Sequence, residues 1–89
     1  MRYRSKAYLK TLRGLPCLVC GQPSEAHHVT YAEPNALSRK VGDNWCVPLC
    51  RTHHSELHLF GDERLWWAIQ GIDPLESATE LFNKFKENK

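Results

Sequence analysis

Two short motifs with the spacing of metal ligands, Cys17-x2-Cys20 and Cys50-x2-His53, constrain this chain more than any other feature. Zinc prefers four soft or borderline ligands in a tetrahedron, and a two-residue spacer lets one turn of chain present two of them. Two pairs, flanking a predicted hairpin and ending at a predicted helix start, predict a structural zinc site without an open coordination position. Cys46 lies in an apolar run and is expected to be a core thiol, although it could replace His53 as fourth ligand.

The length of 89 residues allows one domain with a small core. Domains of this size commonly depend on a metal, a disulfide or a partner for stability. The hydrophobic fraction of 42% and charged fraction of 25% are those of a globular protein, and they disfavour disorder, collagen and coiled coil. A zinc site would add the stability that the small core lacks.

No window approaches the eighteen apolar residues of a membrane span, and the start, MRYRSKAYLK, lacks the apolar stretch of a signal peptide. We therefore expect a cytoplasmic protein with no membrane partner. In that reducing compartment the cysteines are expected to bind metal. A redox role for Cys17-x2-Cys20 is disfavoured because the pattern has no room for a βαβ unit.

Apolar periodicity and turn residues predict an α+β domain with a treble-clef layout, in which a zinc knuckle, a β-hairpin and a metal-binding helix follow one another. The predicted strands cover 26–31 and 45–49, with a loop at 32–44. The predicted helices cover 5–13, 51–60, 63–70 and a last segment that begins after residue 73. We divide the single domain 1–89 into a basic N-terminal helix or arm (1–14), the metal-binding part (15–60) and a helical C-terminal part (61–89).

The last helix has the clearest local signal in the chain. Asp73 is a predicted N-cap, Pro74 occupies the first helical position, and Glu76 completes a capping box. Apolar residues follow at helical spacing and are expected in the core: Leu75, Ala78, Leu81, Phe82 and Phe85.

All five histidines lie between positions 27 and 58, and their spacing is informative. His54 and His58 are four residues apart, so they share one face of the predicted helix and can share a metal. His27 and His28 are neighbours on a predicted strand. Neighbouring side chains on a strand point to opposite faces, so we expect these two histidines to have different roles.

The motifs CLVCG, EAHHV, VPLCRTHH and SELH, between Cys17 and His58, resemble those of the HNH (ββα-metal) nuclease superfamily, particularly small phage and prophage HNH endonucleases. The resemblance implies a metal-dependent endonuclease that nicks or cleaves DNA by hydrolysing phosphodiester bonds. It implies that His27, His54 and His58 bind a divalent catalytic metal, which could be Mg²⁺, Mn²⁺, Ni²⁺ or Zn²⁺.

The resemblance also makes His28 the general base that deprotonates a water. A histidine bound to the metal through its acceptor nitrogen could not also accept that proton, which explains why two adjacent histidines are needed.

The middle residue of the HNH pattern is a departure in this chain. The family's Asn lies five residues before the cysteine that is Cys50 here, and that position holds Trp45, with Asn44 one place early. A one-residue slip on a strand reverses the direction of a side chain. Either a bulge restores Asn44 to the orienting position, or a backbone carbonyl orients His28. An inactive, DNA-binding descendant of a nuclease would show such a loss.

The first thirteen residues contain five basic side chains and no acid: Arg2, Arg4, Lys6, Lys10 and Arg13. Such an arm suits the phosphate backbone of DNA, and a solvated helix face is the alternative. DNA is therefore the expected partner, while the sequence leaves monomer or dimer and any protein partner open. The alternative function is a catalytically inactive zinc-finger module that binds nucleic acid and holds one metal.

Overall fold

The computed structural model describes residues 3–32 and 41–87, which contain four α-helices and a two-stranded sheet. The chain is therefore α+β, as the sequence predicts. The elements follow in the order α1 (Lys6–Arg13), β1 (Glu25–His28), β2 (Cys46–Leu49), α2 (Arg51–Phe60), α3 (Glu63–Gln70) and α4 (Pro74–Glu87), with a 3₁₀ turn at Asp43–Trp45 before β2.

Local capping signals set the helix ends, and the predicted helix bounds are confirmed. Ser5 caps α1, since its hydroxyl accepts a hydrogen bond from the backbone N–H of Tyr8 at 3.1 Å. Asp73 accepts from backbone amides in the first turn of α4. Gly61 and Gly71 end α2 and α3 in the left-handed region, with φ of 88° and 72°, where a side chain is unfavourable.

The two strands form an antiparallel hairpin that carries both histidines of the HH pair. His27 lies opposite Val47, and His28 lies opposite Cys46. Pro48 is tolerated because each strand of a two-stranded sheet is an edge. Its carbonyl accepts a hydrogen bond from the amide of Leu18 at 3.1 Å, so the cysteine knuckle is attached to β2.

Both strands are shorter than predicted, and tertiary hydrogen bonds explain the difference. The first strand was expected to reach Tyr31 but ends at His28, because the amide of Thr30 donates to the side chain of Glu63 at 3.1 Å. Trp45 belongs to the 3₁₀ turn instead of the second strand. Most of the predicted loop 32–44 lies outside the described residues.

The core consists of two clusters of buried side chains. Trp66 and Trp67 of α3 belong to the larger one, and their rings meet edge to face with centroids 4.9 Å apart. The smaller one contains Tyr8, Leu12 and Cys46. The apolar residues of α4 contribute to both clusters, as predicted: Leu75 and Ala78 to the larger, Leu81, Phe82 and Phe85 to the smaller. Within residues 3–32 and 41–87, no helix is both long and apolar enough to span a membrane.

Candidate active site

Cys17, Cys20, Cys50 and His53 converge as the sequence predicts, with one ligand atom from each lying within 4.8 Å of the others. Cys20 Sγ lies 3.6 Å from Cys50 Sγ, and His53 Nδ1 lies 3.2 Å and 3.9 Å from the sulfurs of Cys50 and Cys17. In a zinc tetrahedron, bond lengths of about 2.3 Å to sulfur and 2.0 Å to nitrogen give edges of about 3.5–3.8 Å. A disulfide would need about 2.05 Å. The donor set and spacing therefore fit a zinc-like metal.

Two local structures present these ligands. In the knuckle, Gly21 adopts a φ of 78°, and its amide donates to the carbonyl of Cys17 at 2.9 Å. On the other side, Cys50 is the N-cap of α2, and its sulfur accepts from the backbone N–H of His53 at 3.5 Å. The ligand pair of α2 is thus fixed by the start of the helix itself.

The pKa of the Cys17 thiol is lowered, which favours the thiolate, the form that binds metal. Burial raises its pKa, but hydrogen bonds from the backbone of Cys50, Cys20 and Val19 and from the His53 side chain outweigh burial and lower the pKa to about 6. The Val19 amide lies 3.4 Å from the sulfur. Partial negative charge is therefore already stabilised at this position.

His27, His54 and His58 form a second group whose ligand atoms lie within 4.8 Å of one another. The ring centroids of His54 lie 4.8 Å from those of both His27 and His58, and His27 and His58 are 5.9 Å apart. His27 is only 3% exposed, whereas His58 is exposed to solvent. These three histidines could hold a metal ion, with the exposed side of His58 open to solvent.

Two carboxylates contact these histidines, and the sequence predicted neither contact. Glu63 Oε2 lies 2.8 Å from His27 Nε2, and Glu25 Oε1 lies 2.8 Å from His54 Nδ1. Glu25 could have been suspected, because it lies two positions before His27 on β1 and so shares its face. Glu63 has no local signal, since it lies in α3, which carries no recognisable motif.

His28 lies against a different carboxylate, that of Asp43. Its Nε2 is 2.8 Å from Asp43 Oδ1, while the other carboxylate oxygen accepts from the amide of Ser5 at 2.8 Å. Burial raises the pKa of Asp43, but the hydrogen bonds from His28 and Ser5 lower it below its usual range. Asp43 is therefore held as an anion beside an imidazole that is 36% exposed.

From the sequence we expected Asn44 or a backbone carbonyl to orient His28, whereas the described contact of His28 Nε2 is with Asp43. Strand alternation does not apply to Asn44 and Trp45, because residues 43–45 form a 3₁₀ turn. The turn places Asp43 against His28. The sequence signal for this contact was the acidic residue Asp43 directly before Asn44.

Residues of the basic arm line a groove that also contains the His28–Asp43 pair. Its walls include Arg4, Lys6 and Arg13 together with His28 and Asp43. Lys10 lies on α1 and is exposed but does not line the groove. Arg2, the fifth predicted basic contact, lies outside the described residues. Three of the five predicted arm residues thus lie beside the His28–Asp43 pair.

Cys46 is buried and packs with Tyr8 and Leu12, as expected of a core thiol. Burial and the nearby Asp43 raise the pKa of its thiol to about 12. Its sulfur lies within 4.8 Å of ligand atoms of His28 and Asp43.

A family model described as "Protein of unknown function (DUF968)" matches residues 1–84, which include the arm, the hairpin and both ligand clusters. The chain belongs to the DUF968 family. The family description gives no activity.

The DUF968 chain is also similar to "Uncharacterized protein YdfU" of Escherichia coli (strain K12), with 34% identity over 58 residues. The match covers 64% of this chain but only 17% of that protein, so the chain spans a small part of its relative's length. No solved structure matches the chain significantly.

Proposed function

We propose that this chain is a metal-dependent endonuclease of the HNH (ββα-metal) type that hydrolyses phosphodiester bonds in DNA. The proposal rests on the different contacts of two consecutive residues of β1, His27 and His28. His27 joins His54 and His58 in a three-nitrogen cluster, while His28 pairs with the buried carboxylate of Asp43. A metal-ligand set next to an oriented imidazole is what metal-assisted hydrolysis needs.

His28 serves as the general base in this mechanism. An ionised Asp43 has no proton to give, so His28 Nε2 carries the hydrogen and donates it to Oδ1. The lone pair of a neutral imidazole is then on Nδ1, which accepts a proton from water. The water oxygen attacks phosphorus, the bond to the leaving oxygen breaks, and that oxygen departs with the electron pair and takes a proton from solvent.

His27, His54 and His58 would hold the divalent ion. When bound, such an ion polarises the phosphate and stabilises negative charge on the leaving oxygen. His58 is exposed, so a phosphate can approach from its side, whereas His27 anchors the cluster in the interior. Imidazole ligands accept Mg²⁺ less readily than Mn²⁺, Ni²⁺ or Zn²⁺, which favours a first-row ion.

The Cys17, Cys20, Cys50 and His53 site is proposed as structural zinc in a treble-clef arrangement. Its four protein ligands leave no coordination position open, so the ion would hold the knuckle to α2 without taking part in hydrolysis. A reducing cytoplasm would keep these thiols available for zinc.

DNA is proposed to lie along the groove of Arg4, Lys6 and Arg13, with its backbone phosphates against these cations. Phosphate contacts position a duplex without reading its sequence, so little sequence preference is expected from this surface. Since His28 lines the same groove, a phosphate bound there is close to the proposed base.

The decisive experiment is nicking of supercoiled plasmid in Mn²⁺, Ni²⁺ or Mg²⁺ by the wild type, His28→Ala and His58→Ala. We expect His28→Ala to lower the rate by about 10²–10⁴-fold, because general-base catalysis contributes that much. The absorption of Co²⁺ at the cysteine site serves as a folding control, since neither substitution touches that site. Equal nicking by wild type and His28→Ala would exclude His28 as the base.

Counting metal ions per chain in the same proteins distinguishes a nuclease from a zinc-finger module that only binds nucleic acid. The basic groove alone would serve such a module equally well. We expect two metal ions per chain after dialysis against Mn²⁺ and Zn²⁺, and one in His58→Ala. One ion in both proteins, with DNA binding intact, would favour the binding module.

A further inference from the structure

Glu63 is a buried carboxylate whose two oxygens are fully engaged. Oε1 accepts from the backbone N–H of Thr30 at 3.1 Å and lies 2.6 Å from its hydroxyl. Oε2 accepts from Trp67 Nε1 at 2.9 Å and lies 2.8 Å from His27 Nε2. Glu63 thus connects the start of α3 to the strand and loop that carry His27.

The hydrogen bonds determine which nitrogen of His27 carries the proton. The Thr30 amide and the Trp67 indole can only donate, so both oxygens of Glu63 act as acceptors. Since Oε2 accepts, His27 Nε2 is the donor in their 2.8 Å contact. His27 is therefore the Nε2–H tautomer, and its lone pair is on Nδ1.

Glu25 produces the opposite tautomer in His54. Its Oε1 lies 2.8 Å from His54 Nδ1, so that nitrogen carries the hydrogen and Nε2 keeps the lone pair. Glu25 is 41% exposed, whereas Glu63 is 7% exposed in its side chain, so the contact to His27 is the more strongly desolvated of the two. Low dielectric strengthens such a contact.

We propose that Glu63 is a positioning residue that fixes His27 as an Nδ1 ligand, while Glu25 fixes His54 as an Nε2 ligand of the same ion. This inference rests on the three-histidine metal site of the proposed function. Glu63 also orients the His27 ring, because the helix that carries it is anchored by the buried indoles of Trp66 and Trp67. Partners of this kind orient metal-bound histidines and raise their basicity.

The tautomers can be read directly by long-range ¹H–¹⁵N correlation in the uniformly ¹⁵N-labelled wild type. Before the second ion is added, His27 is expected as the Nε2–H form and His54 as the Nδ1–H form. On adding ¹¹³Cd²⁺, we expect ¹¹³Cd–¹⁵N coupling to Nδ1 of His27 and to Nε2 of His54. Coupling to Nε2 of His27 would overturn the proposal, whatever the nuclease activity.

Glu63→Gln tests the positioning role, with Thr30→Val as the matched control. The amide introduced by Glu63→Gln can donate as well as accept, so it no longer enforces one tautomer of His27. Thr30→Val removes a hydrogen bond from the same carboxylate but leaves its contact with His27. We expect Mn²⁺ affinity at the histidine site to fall about 10–100-fold in Glu63→Gln and much less in Thr30→Val.

The outcomes separate this inference from the nuclease proposal. A Co²⁺ spectrum at the cysteine site that stays unchanged shows that both variants are folded. Equal Mn²⁺ affinities in Glu63→Gln and wild type would overturn the positioning role even if DNA is cleaved. Failure of His28→Ala to reduce nicking would overturn the nuclease mechanism while leaving the tautomers of His27 and His54 measurable.

Discussion

At the scale of single residues, the candidate site contains three imidazole–carboxylate pairs among the described residues. His27 pairs with Glu63, His54 with Glu25, and His28 with Asp43, each at 2.8 Å. A carboxylate accepts hydrogen bonds only, so each pair decides which ring nitrogen keeps its lone pair. The histidines therefore differ in which ring nitrogen faces a carboxylate, Nε2 in His27 and His28 and Nδ1 in His54.

The His28–Asp43 pair gives the sharpest test at this scale. We expect Asp43→Asn to lower plasmid nicking at least about tenfold, because an amide can also donate and would permit the wrong tautomer of His28. Asn44→Ala is the matched control, since Asn44 occupies the next position in the same 3₁₀ turn. Nicking assays of both variants decide between them, and a larger loss in Asn44→Ala would restore the original expectation.

Glu63 should make the free energy of unfolding depend on pH under acidic conditions. Burial raises its pKa, but hydrogen bonds from His27, Thr30 and Trp67 outweigh burial and lower the pKa from 4.5 to about 2. A group whose pKa is lower in the folded state stabilises the fold above its unfolded pKa, and this stabilisation is lost as the pH falls through the folded value. We therefore expect the free energy of unfolding of the wild type to fall between pH 4.5 and pH 2.

Urea denaturation of wild type and Glu63→Gln over this range provides the measurement. The zinc ligands protonate in both proteins, so the difference between the two curves reports the Glu63–His27 pair. The wild type is expected to be the more stable protein at neutral pH, by about 1–3 kcal/mol, since the variant leaves a buried donor unpaired. A constant difference at all pH values would contradict the prediction.

At the scale of elements, α1 contributes cations to the basic groove on one face, Arg13 among them, and carries Lys10 outside the groove. Substitutions on the two faces can therefore be compared. We expect Arg13→Ala, which removes a groove cation, to weaken DNA binding and to reduce the slope of log K against log salt by about 1. Lys10→Ala lies on the same helix but outside the groove and should leave the slope unchanged. Fluorescence titration at several salt concentrations measures both, and equal slopes would place DNA elsewhere.

The end of α2 depends on a glycine in the left-handed region. Gly61 has a φ of 88°, so Gly61→Ala should destabilise the fold by about 1–2 kcal/mol. Gly14 ends α1 with a φ of −87°, and an added Cβ would only touch the carbonyl of Thr11 at 3.5 Å. Gly14→Ala should therefore be neutral or stabilise by up to about 1 kcal/mol. Thermal melts of both variants test this contrast.

The elements also show what could be predicted from the sequence and why. The helix ends are set by adjacent residues such as Ser5, Gly61 and Asp73, so local patterns located them. Strand β1 ends early because Thr30 donates to Glu63, thirty-three positions away, and no local pattern contains that contact. The cysteine site and the shared face of His54 and His58 were predicted from spacing, and the metal role of His27 from the HNH resemblance. The carboxylates beside the histidines depend on tertiary packing.

At the scale of the whole molecule, the described residues occupy 36 × 33 × 19 Å. The short dimension has room for about two layers of secondary structure, each pair of layers being about 10 Å apart. The two ligand sets connect parts of the chain that are distant in sequence. Cys17 and Cys50 link the knuckle to α2, and His27 and His54 link β1 to the same helix.

The two ligand sets should therefore affect each other's affinity. We expect Mn²⁺, which competes poorly for thiolates, to tighten Zn²⁺ binding at the cysteine site at least about fivefold in the wild type. His58→Ala removes an exposed ligand of the other site and should abolish this effect without changing Zn²⁺ affinity in the absence of Mn²⁺. Competition with a chromogenic chelator measures both values, and an equal Mn²⁺ effect in the two proteins would contradict the expectation.

The shared helix α2 has a consequence for how the protein is assembled. His53 and His54 are consecutive residues in its first turn, so an ion bound at either site would restrict the backbone that carries a ligand of the other. Ordering entropy lost at the first binding event would not be lost again at the second, and binding would be cooperative and reciprocal. If the proposed function holds, zinc at the cysteine site would then strengthen metal binding at the histidine cluster and so control hydrolysis from a distance.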